Sequence, residues 1–216
     1  MRWFWTGLLL LFPFVVPNSA GGQNLHLGVR AGTSLSSLRG DTEDLVSRGQ
    51  LDLAPNLGPA FSGYVEIQGR EWIASRLELK YVRKGGSITG TSKPVCIAPP
   101  CPTFQIDEAY RVSYVEVPML TTLRLPLGGA LVPGIHLGQF IGFTLDADLP
   151  SEGKFEDVRS TAYGLLIGAT LGYSFESGER LHLDVRYSRS LNTFSEGHDF
   201  RVDGLAVGVG YTFSVP

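Results

Sequence analysis

Apolar and polar residues alternate strictly in one stretch near the amino terminus, NLHLGVRAGT, which runs from Asn24 to Thr33. Its odd positions carry leucine, leucine, valine and alanine, whereas its even positions include histidine, arginine and two glycines. Successive side chains of a β-strand point to opposite faces. This stretch therefore predicts a strand with one apolar face and one polar face.

The same pattern returns in seven later segments, which are separated by turn-forming residues. We place them at residues 60–68, 72–83, 110–126, 130–145, 161–175, 181–191 and 201–213. Their odd positions are mainly apolar, and their even positions hold most of the charged residues. Repeated alternating segments of about ten residues are the signature of a transmembrane β-barrel.

The connections between these segments alternate in length. Three-residue turns, each with a glycine for the left-handed position, fit at 69–71, 127–129 and 177–179. Longer connections lie at 34–59, 84–109, 146–160 and 192–200. Outer membrane barrels have short turns on the periplasmic side and longer loops outside. We therefore predict an all-β fold, a single eight-stranded antiparallel transmembrane β-barrel with short periplasmic turns and longer extracellular loops.

Glycine and aromatic residues indicate which face meets lipid. Glycine makes up 27 of the 216 residues and is frequent at even positions. An eight-stranded barrel has little interior volume, so we expect small residues inside and the bulky odd-numbered residues against lipid. Aromatic residues collect at both ends of the odd face, as at the two interfaces of a bilayer. The outer set is Phe61, Tyr81, Phe143, Tyr163 and Tyr187, and the inner set is Tyr173, Phe175, Tyr211 and Phe213.

The even face also holds charges of both signs, which we expect to form an interior charge network. Its predicted members are Arg30, Glu66, Arg76, Glu78, Lys80, Glu116, Asp184 and Arg186, with Arg124 as a further cation. Five cations and four carboxylates nearly balance, and buried charges must be paired. In the predicted register Glu66 and Arg76 are diagonal neighbours. We therefore predict a salt-bridged plug and not an open pore.

The amino terminus has the features of a secretory signal peptide. Arg2 precedes an apolar run that ends at Val16, and the small residues Ala20 and Gly22 offer cleavage sites. The run is shorter than the about 20 residues that a membrane-spanning helix needs. We expect residues 1–22 to be the signal peptide and residues 23–216 the outer-membrane β-barrel domain. The net charge of −3 gives no indication of nucleic acid binding.

Two cysteines, Cys96 and Cys101, lie five residues apart in the second long connection. Export to an oxidising compartment favours a local disulfide between them. Their spacing differs from the Cys-x-x-Cys redox motif, and one cysteine pair cannot complete a tetrahedral zinc site without further ligands.

Motifs for catalysis or nucleotide binding are absent from the sequence. Three histidines, His26, His136 and His182, fall on the even face near the periplasmic end. Three imidazoles could bind a metal, but filling of the plug is the simpler interpretation. A solvated loop is likewise simpler than a calcium site for the acidic residues Asp41, Glu43 and Asp44. We expect no catalytic residue, metal or cofactor.

Several motifs, in this order along the chain, resemble those of the PorT-like outer-membrane β-barrel domain family of Bacteroidota and related bacteria. They are Leu77-Glu78-Leu79-Lys80-Tyr81 followed by Lys84-Gly85, Tyr114-Val115-Glu116-Val117-Pro118, Leu183-Asp184-Val185-Arg186-Tyr187-Ser188 and Gly208-Val209-Gly210-Tyr211-Thr212-Phe213. The resemblance implies the eight-stranded fold and an outer-membrane location. It implies no activity, and only a subset of the family is similar to factors of the type IX secretion system.

Our functional expectation is a plugged structural or interaction barrel whose outer loops contact partners or the environment. Its expected partners are outer-membrane lipid, the barrel-insertion machinery and other envelope proteins. One alternative is an outer-membrane enzyme that modifies lipid, for which a lipid-facing Ser–His pair would be the sign. The other is a soluble periplasmic carrier similar to a lipocalin, since alternation also suits a barrel with an apolar interior.

Overall fold

The computed structural model describes residues 24–39, 49–92, 104–125, 127, 129–148, 158–193 and 201–214. Several sequence predictions lie outside these residues. They are the signal peptide at 1–22, the Cys96–Cys101 disulfide and the acidic residues Asp41, Glu43 and Asp44.

Eight antiparallel strands form one closed barrel, which confirms the predicted fold. The strands are β1 (Asn24–Arg39), β2 (Gly49–Arg70), β3 (Ile73–Ser92), β4 (Phe104–Arg124), β5 (Leu131–Asp148), β6 (Thr161–Ser174), β7 (Arg180–Ser190) and β8 (Arg201–Ser214). Each strand pairs with its neighbours in sequence, and β1 pairs with β8 to close the barrel. Among the described residues, no helix is long and apolar enough to cross a bilayer.

The two faces of the barrel wall follow the predicted parity. On β5, the side chain of His136 is 0% exposed and that of the next residue, Leu137, is 45% exposed. The same alternation of buried and exposed side chains runs along β7 without interruption. Charged residues therefore fill the interior and aliphatic residues cover the outside. This arrangement is the reverse of a soluble carrier, whose apolar face lines the cavity.

Tyrosines mark two levels on the outer surface of the barrel. Tyr163 and Tyr173 are ten residues apart on β6, which at about 3.3 Å per residue and a tilt of about 40° spans roughly 25 Å along the barrel axis. That height matches the apolar band of a transmembrane barrel. The hydroxyl of Tyr187 donates to Asp203 Oδ2 at 2.8 Å near the outer level. That of Tyr211 donates to Glu179 at 2.6 Å near the periplasmic level, so polar partners lie at both edges of the band.

The strands continue far beyond the predicted outer ends. The predicted loops at 34–59 and 84–109 are wrong over much of their length, since β2 begins at Gly49, β3 runs to Ser92 and β4 begins at Phe104. The segment GGSITGTS of β3 has no regular apolar face, so periodicity did not identify it. Its backbone nevertheless pairs with both neighbouring strands.

Two of the predicted periplasmic turns are described completely. Gly178 has a positive φ of 86°, and the Phe175 amide donates to the Glu179 carbonyl oxygen at 2.9 Å. The predicted glycine turn is therefore present, but its three residues are 176–178, one position earlier than predicted. The prediction at 69–71 is wrong, because β2 continues to Arg70 and a register irregularity precedes its pairing with Ile73. The third predicted turn, 127–129, contains a position outside the described residues.

If the odd-numbered side chains face lipid, the stability lost on replacing one of them with arginine should depend strongly on its depth in the bilayer. Leu137 lies midway along β5 and Leu131 at its periplasmic end, and both are exposed. We expect Leu137→Arg to lower the free energy of unfolding by about 2–4 kcal/mol and Leu131→Arg by about 0–1 kcal/mol. Reversible urea unfolding in lipid vesicles measures both values. Equal costs for the two variants would contradict the assignment of Leu137 to the bilayer centre.

Candidate functional site

Charged side chains in the barrel interior form three clusters from the periplasmic end outward. The lower cluster contains Glu66, Arg76, Arg124 and Arg180. The central cluster contains Arg30, Glu78, His136, Asp184 and Arg186. The upper cluster contains Lys80, Lys84 and Glu116. The eight predicted network residues and Arg124 all belong to these clusters.

Glu66 is the single carboxylate of the lower cluster. The Nε and Nη2 atoms of Arg76 donate to Glu66 Oε2 at 3.0 and 2.7 Å, and Arg124 binds the other oxygen, Oε1. Glu66 and Arg76 lie directly opposite each other, so the predicted diagonal relation is wrong. The reason is that the turn between β2 and β3 lies at residues 71–72, which together with the register irregularity between Gln68 and Arg70 changes the pairing of the two strands.

Arg186 joins two carboxylates in the central cluster. Its Nη1 atom donates to both oxygens of Glu78 at 2.8 and 2.7 Å, and its Nε atom donates to Asp184 Oδ2 at 2.8 Å. Asp184 also contacts Arg30 Nη2 and His136 Nε2, each at 3.0 Å. These contacts join β1, β3, β5 and β7 across the lumen, and they compensate charges that are almost completely buried.

The upper cluster is centred on Glu116. Lys80 Nζ donates to Glu116 Oε2 at 2.8 Å, and Lys84 Nζ lies near the other oxygen of Glu116. Lys84 Nζ also lies 4.8 Å from the centre of the Phe140 ring, a distance at which a cation is attracted to an aromatic face.

Interior glycines provide the space that these long side chains need. A Cβ atom on Gly168 would lie 2.7 Å from Arg186 Cγ, and one on Gly164 would lie 2.7 Å from Phe140 Cε1. Both distances are too short for packed carbon atoms. The glycine-rich even face therefore accommodates the charge network within a narrow barrel.

Positive charge exceeds negative charge in the three clusters, which together hold seven Arg or Lys residues and four carboxylates. The predicted set of five cations and four carboxylates was therefore incomplete. It lacked Arg180, which precedes the predicted seventh segment, and Lys84, which follows the predicted third segment. Both are even-numbered, so extending the parity rule past the apolar segments would have found them.

A layer of apolar and aromatic side chains lies in the lumen beyond the upper cluster. These residues are Ala60, Val82, Tyr110, Val112 and Tyr114, and all are almost completely buried. A depression of about 490 Å³ lies on the barrel wall, where residues of β1, β2, β7 and β8 meet, and it includes Val29, Phe61 and Val209. Together with the central and upper clusters, this layer of apolar and aromatic side chains fills the described lumen above the lower cluster with buried side chains.

The three inward histidines have separate surroundings. His136 Nδ1 lies 2.9 Å from Thr122 Oγ1, whereas the ring of His182 lies edge-on to Tyr64 at 6.0 Å. Within the described ranges, no three His, Cys, Asp or Glu side chains are arranged to hold a metal ion. All three histidines are buried, so none of them supplies a lipid-facing Ser–His pair. His198 lies outside the described residues.

Comparisons with known proteins agree with this architecture. Residues 18–196 match the model of a family described as outer membrane protein beta-barrel domain. The solved structure of OprG from Pseudomonas aeruginosa superposes with a TM-score of 0.53 at 13% identity, covering 89% of this chain and 97% of that one. A comparison with curated protein sequences finds no match.

Two further solved barrels superpose less closely. Outer membrane protein W of E. coli has a TM-score of 0.46 at 14% identity, with 91% of this chain and 100% of that chain covered. Ail, the attachment invasion locus protein of Yersinia pestis, has a TM-score of 0.44 at 13% identity, with 88% and 99% covered.

Removal of one buried cation tests the energetic role of the central cluster. We expect Arg186→Met to lower the free energy of unfolding by about 3–5 kcal/mol, because it removes the buried cation that Glu78 and Asp184 share. Arg189 is exposed on the same strand. We expect Arg189→Met to change the free energy of unfolding by about 0.5 kcal/mol or less. Urea unfolding of both variants in detergent micelles provides the measurement. Similar stability of the two variants would contradict a stabilising network.

The filled lumen predicts the electrical behaviour of the purified barrel. We expect no discrete conductance steps when it is reconstituted into a planar lipid bilayer, because ions have no continuous aqueous path past the upper cluster. As a control against contaminating porins, the barrel is purified a second time in denaturant and then refolded before reconstitution. Reproducible steps that persist after this treatment would contradict the plug.

Proposed function

The chain belongs to the outer membrane protein β-barrel domain family, and we propose that it acts in the bacterial outer membrane as a plugged interaction barrel. In this proposal the transmembrane part is an anchor. The strands that project beyond the membrane bind a partner protein.

A three-stranded sheet outside the apolar band supports this proposal most directly. We call it the outer sheet, and it consists of residues 49–55 of β2, 86–92 of β3 and 104–110 of β4. The pairs Gly49↔Ser92 and Ser92↔Phe104 define its tip. Its tip lies 12 residues beyond Phe61 on β2 and 11 residues beyond Tyr81 on β3, the two aromatic residues of the outer level.

The outer sheet has an open edge on each side within the described part of the chain. Pairing between β1 and β2 ends at Ser36↔Asn56, and pairing between β4 and β5 ends at Arg111↔Asp148. The outer parts of β2 and β4 therefore each have one described neighbour, β3. An edge strand presents unpaired backbone donors and acceptors to which a strand of another protein can be added.

The filled lumen supports a role that needs neither transport nor catalysis, and we propose that the protein is not an enzyme. A lipid-modifying activity is disfavoured by the inward position of the three described histidines. We propose that the barrel contacts outer-membrane lipid, is inserted by the barrel-insertion machinery and binds other envelope proteins through the outer sheet. At a finer level, its motifs support a PorT-like barrel within the family.

Shortening the outer sheet tests this function. A variant in which an Asn-Gly turn replaces residues 88–108 keeps Ser87 opposite Ala109 and removes the tip of β3 and β4. We expect partner proteins that are cross-linked to the wild-type barrel on intact cells to be lost from this variant. The outer part of β4 is largely removed, and the outer part of β2 loses most of the β3 strand with which it pairs. Affinity purification followed by quantitative mass spectrometry measures the loss.

The matched control replaces residues 149–157, between β5 and β6, with the same Asn-Gly turn. Heat-modifiable migration on a denaturing gel shows whether each variant forms the barrel. The proposal predicts that the control retains the cross-linked proteins. Equal retention by both folded variants, or the absence of any protein enriched over a mock sample, would refute it.

A further inference from the structure

The lower cluster contains more positive charge than its carboxylate can compensate. Arg76 occupies Glu66 Oε2 with two hydrogen bonds, and Arg124 occupies Oε1. Arg180 Nη1 lies 3.6 Å from the same Oε1 atom, which is beyond hydrogen-bond range. Three guanidinium groups thus surround one carboxylate. Arg76 Nη1 also lies 3.6 Å from Glu78 Oε1 of the central cluster, so the positive charge without a second carboxylate is that of Arg124 and Arg180.

Several buried nitrogen atoms at this end of the lumen have no protein hydrogen-bond partner. They include Arg124 Nη1, Arg180 Nε and both ring nitrogens of His182. Arg124 is 5% exposed and His182 is 3% exposed. A buried donor without an acceptor is unfavourable, and a charged donor more so. This end of the lumen therefore presents unused donors in addition to its excess positive charge.

The position of these residues gives access from the periplasm. Arg124 is the last residue of β4 and Arg180 is the first residue of β7, so both lie at the level of the short turns. The side chain of Arg180 is 14% exposed, compared with 0% for Glu66. The guanidinium groups of Arg124 and Arg180 approach the same oxygen of Glu66 and are therefore close to each other.

We propose that the periplasmic end of the lumen is a binding site for a small free oxyanion of the phosphate type, held between Arg124 and Arg180. A guanidinium group binds phosphate oxygens through paired hydrogen bonds, which are stronger than those between neutral groups. Such an anion neutralises the positive charge of the arginines that Glu66 does not compensate. It also accepts hydrogen bonds from Arg124 Nη1 and Arg180 Nε. The filled lumen above the cluster prevents its passage, so this is a binding site and not a pore entrance.

The test uses the purified barrel in dodecyl maltoside, a detergent without phosphate, and titrates it with inorganic phosphate by calorimetry. A parallel NMR titration follows the arginine Nε–Hε signals. We expect one phosphate per barrel and a shift of the Arg180 signal, which is assigned from its absence in Arg180→Gln. Arg180→Gln should weaken phosphate binding about tenfold, as expected for loss of a charge-assisted hydrogen bond.

Arg70→Gln is the matched control, because Arg70 is exposed at the same end of the barrel and belongs to none of the clusters. It removes the same charge and should leave phosphate binding within about twofold of wild type. Titration with dihexanoyl phosphatidic acid distinguishes a lipid headgroup from free phosphate. The proposal is overturned if wild type shows no saturable phosphate binding, if both variants weaken it equally, or if only the phospholipid binds.

Discussion

Backbone hydrogen bonding is the constraint on which the rest of this structure depends. Hydrocarbon offers no partner to a peptide group, so a sheet in the membrane must have no free edge. Pairing of β1 with β8, from His26↔Ser214 to Arg39↔Arg201, removes the edges. Closure with eight strands then separates a large outer surface from a narrow interior. Bulky aliphatic side chains occupy the outside because lipid accommodates them there.

The narrow interior explains why charge and glycine occur together. Long side chains such as Arg186 cross the lumen, and glycines such as Gly168 leave room beside them. Once buried, each charge requires a partner, and contacts such as Arg186–Glu78 connect strands that are not adjacent in the sheet. The interior is therefore committed to holding the barrel together, and the two ends remain for contact with other molecules.

Those two ends differ in chemistry. At the outer end, β2, β3 and β4 leave the cylinder as a sheet with open edges in its described part, where backbone groups can pair with a partner. At the periplasmic end, three arginines share Glu66 and leave donors unused. One end suits a protein strand and the other a small anion, although a single sheet forms both.

Alternation indicated the strand number and which residues share a face, because a period of two survives any turn that preserves parity, and the distribution of glycine and aromatic residues indicated which face meets lipid. It placed Leu137 outside and Asp184 inside correctly. It missed the outer sheet, because the segment GGSITGTS of β3 shows no regular apolar alternation. It also missed the direct pairing of Glu66 with Arg76, since the position of the turn and the register irregularity beside it change which residues are opposite. Only tertiary structure decided which charges meet, because these contacts join strands that are distant in sequence.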